Sequence, residues 1–264
     1  MSASNFWTLD FGNSALKLRE HDALDELPGE LTIFANDAEL LNNVRCKLEG
    51  QSLLGVAFSS VADEAYSAEL EALLREHSPV FVSTTDALLA NDSTAPETVG
   101  ADRLFAALGA LVMLPPEESC AIVCDAGTAL TVDLVLRTDE SDGLCGRFKG
   151  GAIAPGPKLL AKALSLGGAR LFEVSELEAR MKQTPALGRD TEAALRSGVV
   201  HGFRGIVKEL ALRIAEESGV ADPAICMTGG ARGLLAGVFP KERLIEEASL
   251  TGRGLLAALA RELG

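Results

Sequence analysis

The feature that most constrains the fold of this chain is a short pattern that occurs twice. In each copy an apolar run ends in Asp-x-Gly followed by Asn or Thr, and a second apolar run begins soon afterwards. The first copy is Asp10–Ser14 (Asp-Phe-Gly-Asn-Ser), and the second is Asp125–Thr128 (Asp-Ala-Gly-Thr). Two apolar runs joined by a short glycine turn predict two antiparallel strands, so each copy indicates a β-hairpin.

The chemistry of the two turns is compatible with phosphate binding. Gly12 and Gly127 carry no Cβ, so the backbone can turn tightly and leave amide N–H groups exposed. Such a turn can hold phosphate oxygens, and the Asp at the strand end can hold a metal ion or its bound water. A plain hairpin turn uses the same residues, so either copy alone is ambiguous. Two copies in two halves of one chain indicate a nucleotide bound between two related domains.

The first half of the chain alternates strand-like and helix-like segments. Apolar runs typical of strands lie at residues 6–9, 15–18, 31–34, 53–58 and 80–82, and helices are predicted over residues 37–49 and 63–77. This alternation is typical of an α/β architecture. A loop at 91–97 precedes a predicted helix over residues 102–113, which ends before Pro115 and Pro116. We therefore predict two domains, 1–115 and 116–264.

The second half opens with the second hairpin. Residues 121–136 lead through an acidic turn at 138–143 to Gly150–Gly156, which is interpreted as a loop that opens a helix over residues 158–165. Apolar residues at helical spacing predict one face of a long helix, made by Leu195, Val199, Phe203, Ile206, Leu210 and Ile214. A short buried strand at 224–227 then runs into Thr228–Gly230.

Charge limits the classes of partner. The chain has 264 residues, with 24 Lys and Arg against 38 Asp and Glu, and a net charge of −14. An acidic surface repels a polyanion, which argues against nucleic-acid binding, whereas Mg²⁺ and a few basic groups can neutralise a bound nucleotide. The sequence has no apolar run of the roughly 18 residues that a membrane span needs, and no signal-peptide pattern. A cytoplasmic protein without membrane contact is therefore expected.

The cysteines do not form a recognisable metal or disulfide pattern. They are odd in number and scattered, and no His stands at a spacing that would complete a zinc site. We therefore expect buried, reduced thiols at Cys46, Cys120, Cys124, Cys145 and Cys226.

Two further positions can carry chemistry. Gly100–Arg103 stands at the start of a predicted helix, where Asp102 either matches the helix dipole or accepts the proton of an attacking hydroxyl. Arg103 beside it can hold an anionic group of a substrate. Lys17 follows the first turn, and it either faces solvent or reaches a phosphate. The spacing alone leaves both pairs of alternatives open.

In their order along the chain, these motifs resemble the type III pantothenate kinase family, which belongs to the actin, hexokinase and Hsp70-like ATPase superfamily. The matching motifs are Asp10–Lys17, Gly100–Arg103 (Gly-Ala-Asp-Arg), Asp125–Asp133, Gly150–Gly156, Asp190–Gly198 and Thr228–Gly230. They span almost the whole chain, and Gly-Ala-Asp-Arg between the two Asp-x-Gly turns is the most specific of them. The resemblance implies two related α/β domains of the ribonuclease H-like ATPase fold with a cleft between them.

The resemblance also implies an activity, which is the ATP-dependent phosphorylation of pantothenate to 4′-phosphopantothenate, the first step of coenzyme A biosynthesis. Asp102 is the implied general base, and pantothenate is expected to contact Gly100, Ala101, Asp102, Arg103 and Thr191. The residues implied to line the ATP phosphates are Asp10, Phe11, Gly12, Asn13, Ser14, Ala15, Leu16, Lys17 and Thr128. Mg²⁺ accompanies ATP, and Asp125 is expected to help hold a monovalent cation, K⁺ or NH₄⁺. A homodimer is implied as well, with the helix that carries Leu195 as a plausible interface element.

One position departs from the family pattern. Many family members have a Tyr seven residues before the Gly of Gly-Ala-Asp-Arg, whereas this chain has Ser93 there and its single tyrosine, Tyr66, lies far upstream. Pro96 keeps its family place, so the substitution bears on pantothenate affinity rather than on phosphoryl transfer. Two alternatives to the kinase are a non-catalytic accessory or regulatory member of the same family and a kinase for another small alcohol.

Overall fold

The computed structural model of the protein describes residues 5–24, 29–86, 88–139, 144–168, 171–175, 177 and 184–264. The strands are β1 (Phe6–Phe11), β2 (Ala15–His21), β3 (Glu30–Ala35), β4 (Gly55–Ser60), β5 (Phe81–Val82), β6 (Leu89–Asn91), β7 (Cys120–Ala126), β8 (Ala129–Arg137), β9 (Gly146–Pro155), β10 (Ala224–Thr228) and β11 (Leu244–Glu246). The helices are α1 (Leu40–Leu48), α2 (Glu64–Glu76), α3 (Ala101–Met113), α4 (Pro157–Gly167), α5 (Thr191–Ser218) and α6 (Leu250–Leu263). Among the described residues, no helix combines the length and the apolar character that crossing a membrane requires.

The chain forms two compact units. The first comprises Met1–Met113, Arg137–Phe148 and Ser249–Gly264, and the second comprises Leu114–Leu136 and Lys149–Ala248. The predicted domains, 1–115 and 116–264, stay a prediction about the two related halves of the sequence.

The sheet of the first unit is built around the first Asp-x-Gly turn. Its strand order is β3-β2-β1-β4-β5. β1 and β2 form the predicted antiparallel hairpin, in which Asp10 lies opposite Lys17, and β4 runs parallel to β1 on its other side. Trp7, Leu9 and Phe11 alternate along β1 and enter the same core, so the period-two pattern of this strand is satisfied.

Helices α1 and α2 pack against this sheet and enclose the core of the first unit. The helices contribute apolar residues at helical spacing to a cluster that contains Leu40, Val44, Leu48, Leu70, Leu73 and Leu74. The Asp63 side chain accepts a hydrogen bond from the Tyr66 backbone N–H at 3.0 Å and so caps the first turn of α2. The predicted helices over 37–49 and 63–77 are therefore confirmed in type and approximate extent.

Two glycines allow α3 and α6 to pack with their backbones almost in contact. A Cβ built at Gly109 would meet the Leu250 carbonyl oxygen, and one built at Gly254 would meet the Phe105 carbonyl oxygen. Each of these Cβ positions also lies 3.1 Å from the backbone nitrogen of the other glycine. α3 is apolar on nearly all sides, and this close approach buries its residues Phe105–Leu111. The helix is therefore held firmly within the first unit.

The second unit repeats this arrangement of strands. Its strands follow the order β11-β10-β7-β8-β9, in which β7 and β8 form an antiparallel hairpin and β10 runs parallel to β7. The first unit pairs β2 and β4 with its central strand in the same two orientations. Both Asp-x-Gly turns therefore leave a central strand with an antiparallel neighbour on one side and a parallel neighbour on the other.

The long helix α5 covers the core of the second unit. The predicted face is confirmed, because Leu195, Val199 and Phe203 are buried in the cluster and Ile206, Leu210 and Ile214 pack against it. The Asp190 carboxylate accepts a hydrogen bond from the Ala193 backbone N–H at 2.7 Å and caps the start of the helix. Gly219, with φ of +67°, adopts the left-handed conformation that ends it.

The interpretation of Gly150–Gly156 as a loop is wrong over most of its length. β9 continues through Pro155, and only Gly156 stands outside it, directly before α4. Gly150 has φ of +96°, which a residue with a side chain rarely adopts, and a Cβ at Gly151 would meet the Val132 carbonyl oxygen on β8. Glycines here therefore mark a strand that passes close to its neighbour. The predicted acidic turn at 138–143 lies largely outside the described residues.

The packing of α3 against α6 gives a stability prediction. Gly254→Ala should lower the free energy of unfolding by about 2 kcal/mol, because the new methyl group meets rigid backbone and this cost exceeds the helix-propensity gain of alanine. Denaturant unfolding followed by circular dichroism measures the change. Gly167→Ala on α4 is the control, since nothing lies within 4 Å of its Cβ position. Equal stability of the two variants would contradict this account of the helix crossing.

Candidate active site

The first turn is closed by a short backbone hydrogen bond between the two strands of the hairpin. The Gly12 N–H donates to the Ala15 carbonyl oxygen at 3.0 Å. Asn13 and Ser14 at its tip are exposed, whereas Phe11 before it is fully buried and stacks edge-on against Tyr66 with ring centroids 5.9 Å apart. The turn therefore presents backbone and small polar groups to solvent from a rigid base.

Asp10 and Lys17 form an ion pair across the hairpin. Lys17 Nζ lies 3.2 Å from Asp10 Oδ2, and the two side chains are 55% and 17% exposed. Lys17 thus lies at the first turn, with its ammonium group beside the strand-end carboxylate. A half-exposed ammonium next to a largely shielded carboxylate can exchange its partner for a phosphate oxygen when an anion binds.

Asn36 supports the first turn from β3, and the sequence interpretation missed it. Its side-chain Nδ2 donates to the Asn13 carbonyl oxygen at 3.1 Å, and its backbone N–H donates to the Ser14 carbonyl oxygen at 3.3 Å. The available signal was an Asn directly after an apolar strand-like run, where amide side chains commonly bond to nearby backbone. Asn36 fixes two carbonyl groups of the turn, so it orients the amides between them.

Gly100–Asp102 lies beside the carboxyl ends of β1 and β4 within the first unit. The Val61 N–H, directly after β4, donates to the Phe11 carbonyl oxygen at 3.0 Å. A Cβ built at Gly100 would lie 3.2 Å from Val61 Cγ1 and 2.6 Å from Asp102 Oδ1. Glycine is therefore needed here for the Asp102 carboxylate to fold back over the backbone.

The Asp102 carboxylate is oriented by the first turn of α3. Its Oδ1 accepts a hydrogen bond from the Arg103 backbone N–H at 2.8 Å, and the same N–H also donates to the Gly100 carbonyl oxygen at 3.1 Å. This is the helix-dipole role considered from the sequence. The same contact fixes the carboxylate in one orientation, so the two roles are compatible with one another.

The loop that leads into α3 is stabilised by its own polar side chains. Asn91 Oδ1 accepts from the Ser93 hydroxyl at 2.7 Å and from the Ser93 backbone N–H at 3.2 Å. Asn91 Nδ2 donates to the Pro96 carbonyl oxygen at 3.2 Å. Ser93 is therefore part of the loop's internal hydrogen bonding.

The second turn is closed by its own backbone and packed by a glycine that directly follows β9. The Gly127 N–H donates to the Ala129 carbonyl oxygen at 3.1 Å, so this turn is one residue shorter than the first, in which Gly12 bonds to Ala15. The Gly156 N–H donates to the Thr128 carbonyl oxygen at 3.1 Å, and a Cβ at Gly156 would meet the carbonyl oxygens of Gly127 and Thr128. The start of α4 thus packs directly on the turn, and only glycine fits between them.

Asp125 stands at the end of β7, opposite Thr228 on β10. A Cβ built at Gly229, whose φ is +87°, would meet Asp125 Oδ1 and the backbone of Ala126. The Thr228–Gly230 segment therefore passes so close to this carboxylate that only a residue without a side chain fits at position 229. Among the described residues, no three His, Cys, Asp or Glu side chains cluster closely enough to hold a metal ion.

Thr191 is the first residue of α5, next to the capping residue Asp190, and its side chain is exposed. A few residues further along α5, the guanidinium of Arg196 is buried and donates to Glu192 Oε1 at 2.7 Å and to the Ser175 carbonyl oxygen at 2.5 Å. These bonds hold the first turns of α5 in place. The predicted site residues thus fall into three groups, at the first turn with Gly100–Arg103, at the second turn, and at the start of α5.

The expectation of buried thiols is met only in part. Cys120, Cys124 and Cys226 are buried on β7 and β10, Cys145 is half-buried, and Cys46 is exposed on α1. Burial raises the pKa of the Cys226 thiol to about 12, and burial also raises the pKa of the Cys124 thiol, with smaller contributions from Cys226 and the nearby carboxylates. The prediction for Cys46 was wrong because it occupies the solvent-facing side of its helix.

Comparison with known proteins identifies the family. A family model described as type III pantothenate kinase matches residues 6–213. The chain belongs to the type III pantothenate kinase family. It is 35% identical to the type III pantothenate kinase of Thermomicrobium roseum over 83% of this chain and 81% of that one. It is 37% identical to that of Rhodopirellula baltica over 69% of this chain and 62% of that one, so this match spans less than two thirds of the relative.

Solved structures that resemble the chain have the same fold at low identity. An archaeal actin homolog superposes with a TM-score of 0.52 at 12% identity, over 97% of this chain and 99% of that one. The ROK hexokinase of Thermus thermophilus superposes with a TM-score of 0.51 at 14% identity, over 97% of each chain. Likeness at this identity shows the fold alone. The predicted α/β fold of the actin and hexokinase type is therefore confirmed.

The raised thiol pKa values of this type III pantothenate kinase family member give a labelling prediction. At neutral pH a thiol reagent should modify Cys46 in the folded protein, whereas Cys124 and Cys226 should react only after unfolding, because the thiolate is the reactive form. Mass spectrometry of the labelled peptides measures the extent of labelling, and rapid labelling of Cys124 in folded protein would contradict the prediction.

The same pKa shifts predict a pH dependence of stability. The pKa of each of these two thiols is higher in the folded protein than in the unfolded chain, so deprotonation favours unfolding. The free energy of unfolding should therefore fall as pH rises above the ordinary thiol pKa of roughly 8.5.

Proposed function

We propose that this protein transfers the γ-phosphoryl group of ATP to the primary hydroxyl of pantothenate and releases ADP and 4′-phosphopantothenate, as the first step of coenzyme A biosynthesis. The observation that carries the proposal is the placement of Gly100–Arg103. In this chain the segment lies beside the carboxyl ends of β1 and β4, next to the first Asp-x-Gly turn. The chain also belongs to the type III pantothenate kinase family.

The two glycine turns are the proposed phosphate-binding elements. Exposed backbone amides of a tight turn can hold phosphate oxygens, and each turn is closed by a glycine N–H that donates to an alanine carbonyl oxygen, three residues ahead in the first turn and two in the second. In the first unit the proposed contacts come from Asp10, Phe11, Gly12, Asn13, Ser14, Ala15, Leu16 and Lys17. In the second unit the proposed contact is Thr128, which is exposed at the tip of the turn. Lys17 supplies positive charge where a net charge of −14 otherwise repels the nucleotide.

Asp102 is the proposed general base. Its carboxylate accepts the proton of the pantothenate hydroxyl while that oxygen forms a bond to the γ-phosphorus and the bond to the bridging oxygen of ADP breaks. Such a transfer needs little covalent participation by the protein, so positioning accounts for most of the rate gain. The contact with the Arg103 N–H at 2.8 Å supports the role, because it fixes the carboxylate before substrate binds.

Arg103 and Thr191 are the proposed partners of the rest of pantothenate. The molecule ends in a carboxylate, and an Arg guanidinium matches a carboxylate with two parallel hydrogen bonds. Gly100 and Ala101 leave the start of α3 without a bulky side chain. Thr191 is exposed at the start of α5, where its hydroxyl is available to a polar group of the substrate.

The residues present fit the cations that the reaction needs. Asp10 and Asp125 are carboxylates near the ends of β1 and β7, and the Gly229 backbone passes close to Asp125 Oδ1. Magnesium is usually held by one or two carboxylates together with water and phosphate, so a cluster of three ligating side chains is not required. We propose that Asp10 lies next to the Mg²⁺ of the nucleotide and that Asp125 helps to hold K⁺ or NH₄⁺. When bound, these cations neutralise charge on the transferring phosphoryl group.

A homodimer in the cytoplasm is part of the proposal. α5 is a long helix with Leu212 exposed, and Leu159, Leu164 and Leu166 are exposed on the neighbouring helix α4. Exposed large apolar side chains favour association with a second copy. The Ser93 substitution keeps a kinase for another small alcohol as a second candidate, because Ser93 is engaged with Asn91 rather than extended as a tyrosine would be.

The test is release of ADP by the purified protein with ATP, Mg²⁺ and either pantothenate or a panel of other small alcohols, with and without K⁺. We expect turnover that requires pantothenate and rises with K⁺. Asp102→Asn keeps the size of the side chain but removes the base, and it should lower kcat by about 10² to 10⁴-fold.

The matched control for this variant is Asp63→Asn, which changes another helix-start carboxylate in the same unit. It should keep wild-type turnover. Turnover with a different alcohol alone would favour the second candidate. Full activity of Asp102→Asn would contradict the role of Asp102.

A further inference from the structure

The segment that carries Gly100–Arg103 is attached at two points to the same two residues of β9. The segment begins at Asp92, directly after β6, and ends in the first turn of α3. Arg147 contacts its beginning and Phe148 contacts its end. All of these residues belong to the first unit.

The first attachment combines a backbone bond with an ion pair. β6 runs parallel to β9 with Asn91 opposite Phe148, and the Asp92 N–H donates to the Phe148 carbonyl oxygen at 2.9 Å. Arg147 Nη1 lies 3.0 Å from Asp92 Oδ1, with the two side chains 42% and 25% exposed. The ion pair adds modest energy at this exposure, but it fixes the direction in which the loop leaves the sheet.

The second attachment is the stacking of Arg103 on an aromatic ring. The guanidinium carbon of Arg103 lies 5.4 Å from the centroid of the Phe148 ring, within the range of a cation–π contact. Phe148 is fully buried, so the surface that it offers is rigid. A guanidinium held near a rigid ring loses less freedom when it binds an anion, because fewer positions are open to it before binding.

We propose that Arg147 and Phe148 are positioning residues that hold the Gly100–Arg103 segment in register for the acceptor substrate. The inference rests on the proposed function in so far as the acceptor is pantothenate. Arg147 sets where the loop begins, and Phe148 sets the position of the Arg103 guanidinium. The internal bonds of Asn91 with Ser93 and Pro96 make the intervening loop stiff enough to transmit the first constraint.

Steady-state kinetics with each substrate varied in turn tests the proposal. Phe148→Leu removes the ring and should raise the KM for pantothenate about fivefold, while the KM for ATP stays within about twofold of wild type. Arg147→Asp should raise the KM for pantothenate in the same selective way. The double variant Asp92→Arg with Arg147→Asp restores an ion pair of reversed sign and should recover most of the loss.

The matched control is a second pair of the same kind in the same unit. Arg75 stacks on Phe81 with its guanidinium carbon 4.0 Å from the ring centroid and forms an ion pair with Glu71 at 2.7 Å. Phe81→Leu removes an equivalent ring away from Gly100–Arg103, and we expect unchanged KM values for both substrates. A rise in the KM for pantothenate equal to that of Phe148→Leu would mean that general loss of packing explains both, and would overturn the proposal.

Amide hydrogen exchange of the protein without substrate separates this inference from the proposed function. Phe148→Leu and Arg147→Asp should speed exchange over residues 92–103 more than elsewhere in the first unit, and the charge-reversed pair should slow it again. If wild-type protein does not phosphorylate pantothenate, the proposed function fails and this exchange pattern decides the positioning role by itself. Exchange over 92–103 equal to that of wild type in both variants would overturn the inference.

Discussion

The structure depends on close backbone approach at positions where only glycine leaves room. Gly156 packs on the carbonyl groups of the second turn, Gly229 passes beside Asp125, and Gly100 lies against Asp102. In each case a Cβ would meet a backbone or carboxylate oxygen, so a methyl group alone would move the turn or the acid. The acids and amides of the site can therefore take these positions only because the neighbouring residues have no side chain. In the same way, glycines on α3 and α6 allow these two helices to pack closely and fix the position of α3.

Much of the fold was predictable, because its repeated unit has a strong local signal. Alternating apolar strands around Asp10 and Asp125 gave both hairpins, and helical spacing gave the buried face of α5. The interpretation failed at Gly150–Gly156, where paired glycines were attributed to a loop although they belong to a strand. Local sequence does not distinguish a glycine that turns the chain from one that lets two strands approach, since that difference depends on a distant neighbour such as Val132.

The reacting groups of the candidate site were predictable from the sequence, whereas the residues that position them were not. Asp10, Asp102 and Asp125 stand out because acids beside glycines suit phosphate and metal chemistry. Arg147 and Phe148 carry no such signal, and the position of Asn36 after an apolar run does not identify its partner, since each of the three acts through a residue far away in sequence. Asn36 bonds to the first turn, Arg147 pairs with Asp92, and the Phe148 ring contacts Arg103. These partners are identified only when strand register is known.

In the proposed reaction, the start of α3 presents an acceptor hydroxyl to the γ-phosphoryl group of ATP. The most direct measurement follows the label from ATP that carries an oxygen isotope in its γ-phosphoryl group, with mass spectrometry of every product formed with pantothenate. We expect the labelled phosphoryl group to appear in 4′-phosphopantothenate. Label found only in inorganic phosphate, or retained entirely in ATP by folded protein supplied with Mg²⁺ and K⁺, would contradict it.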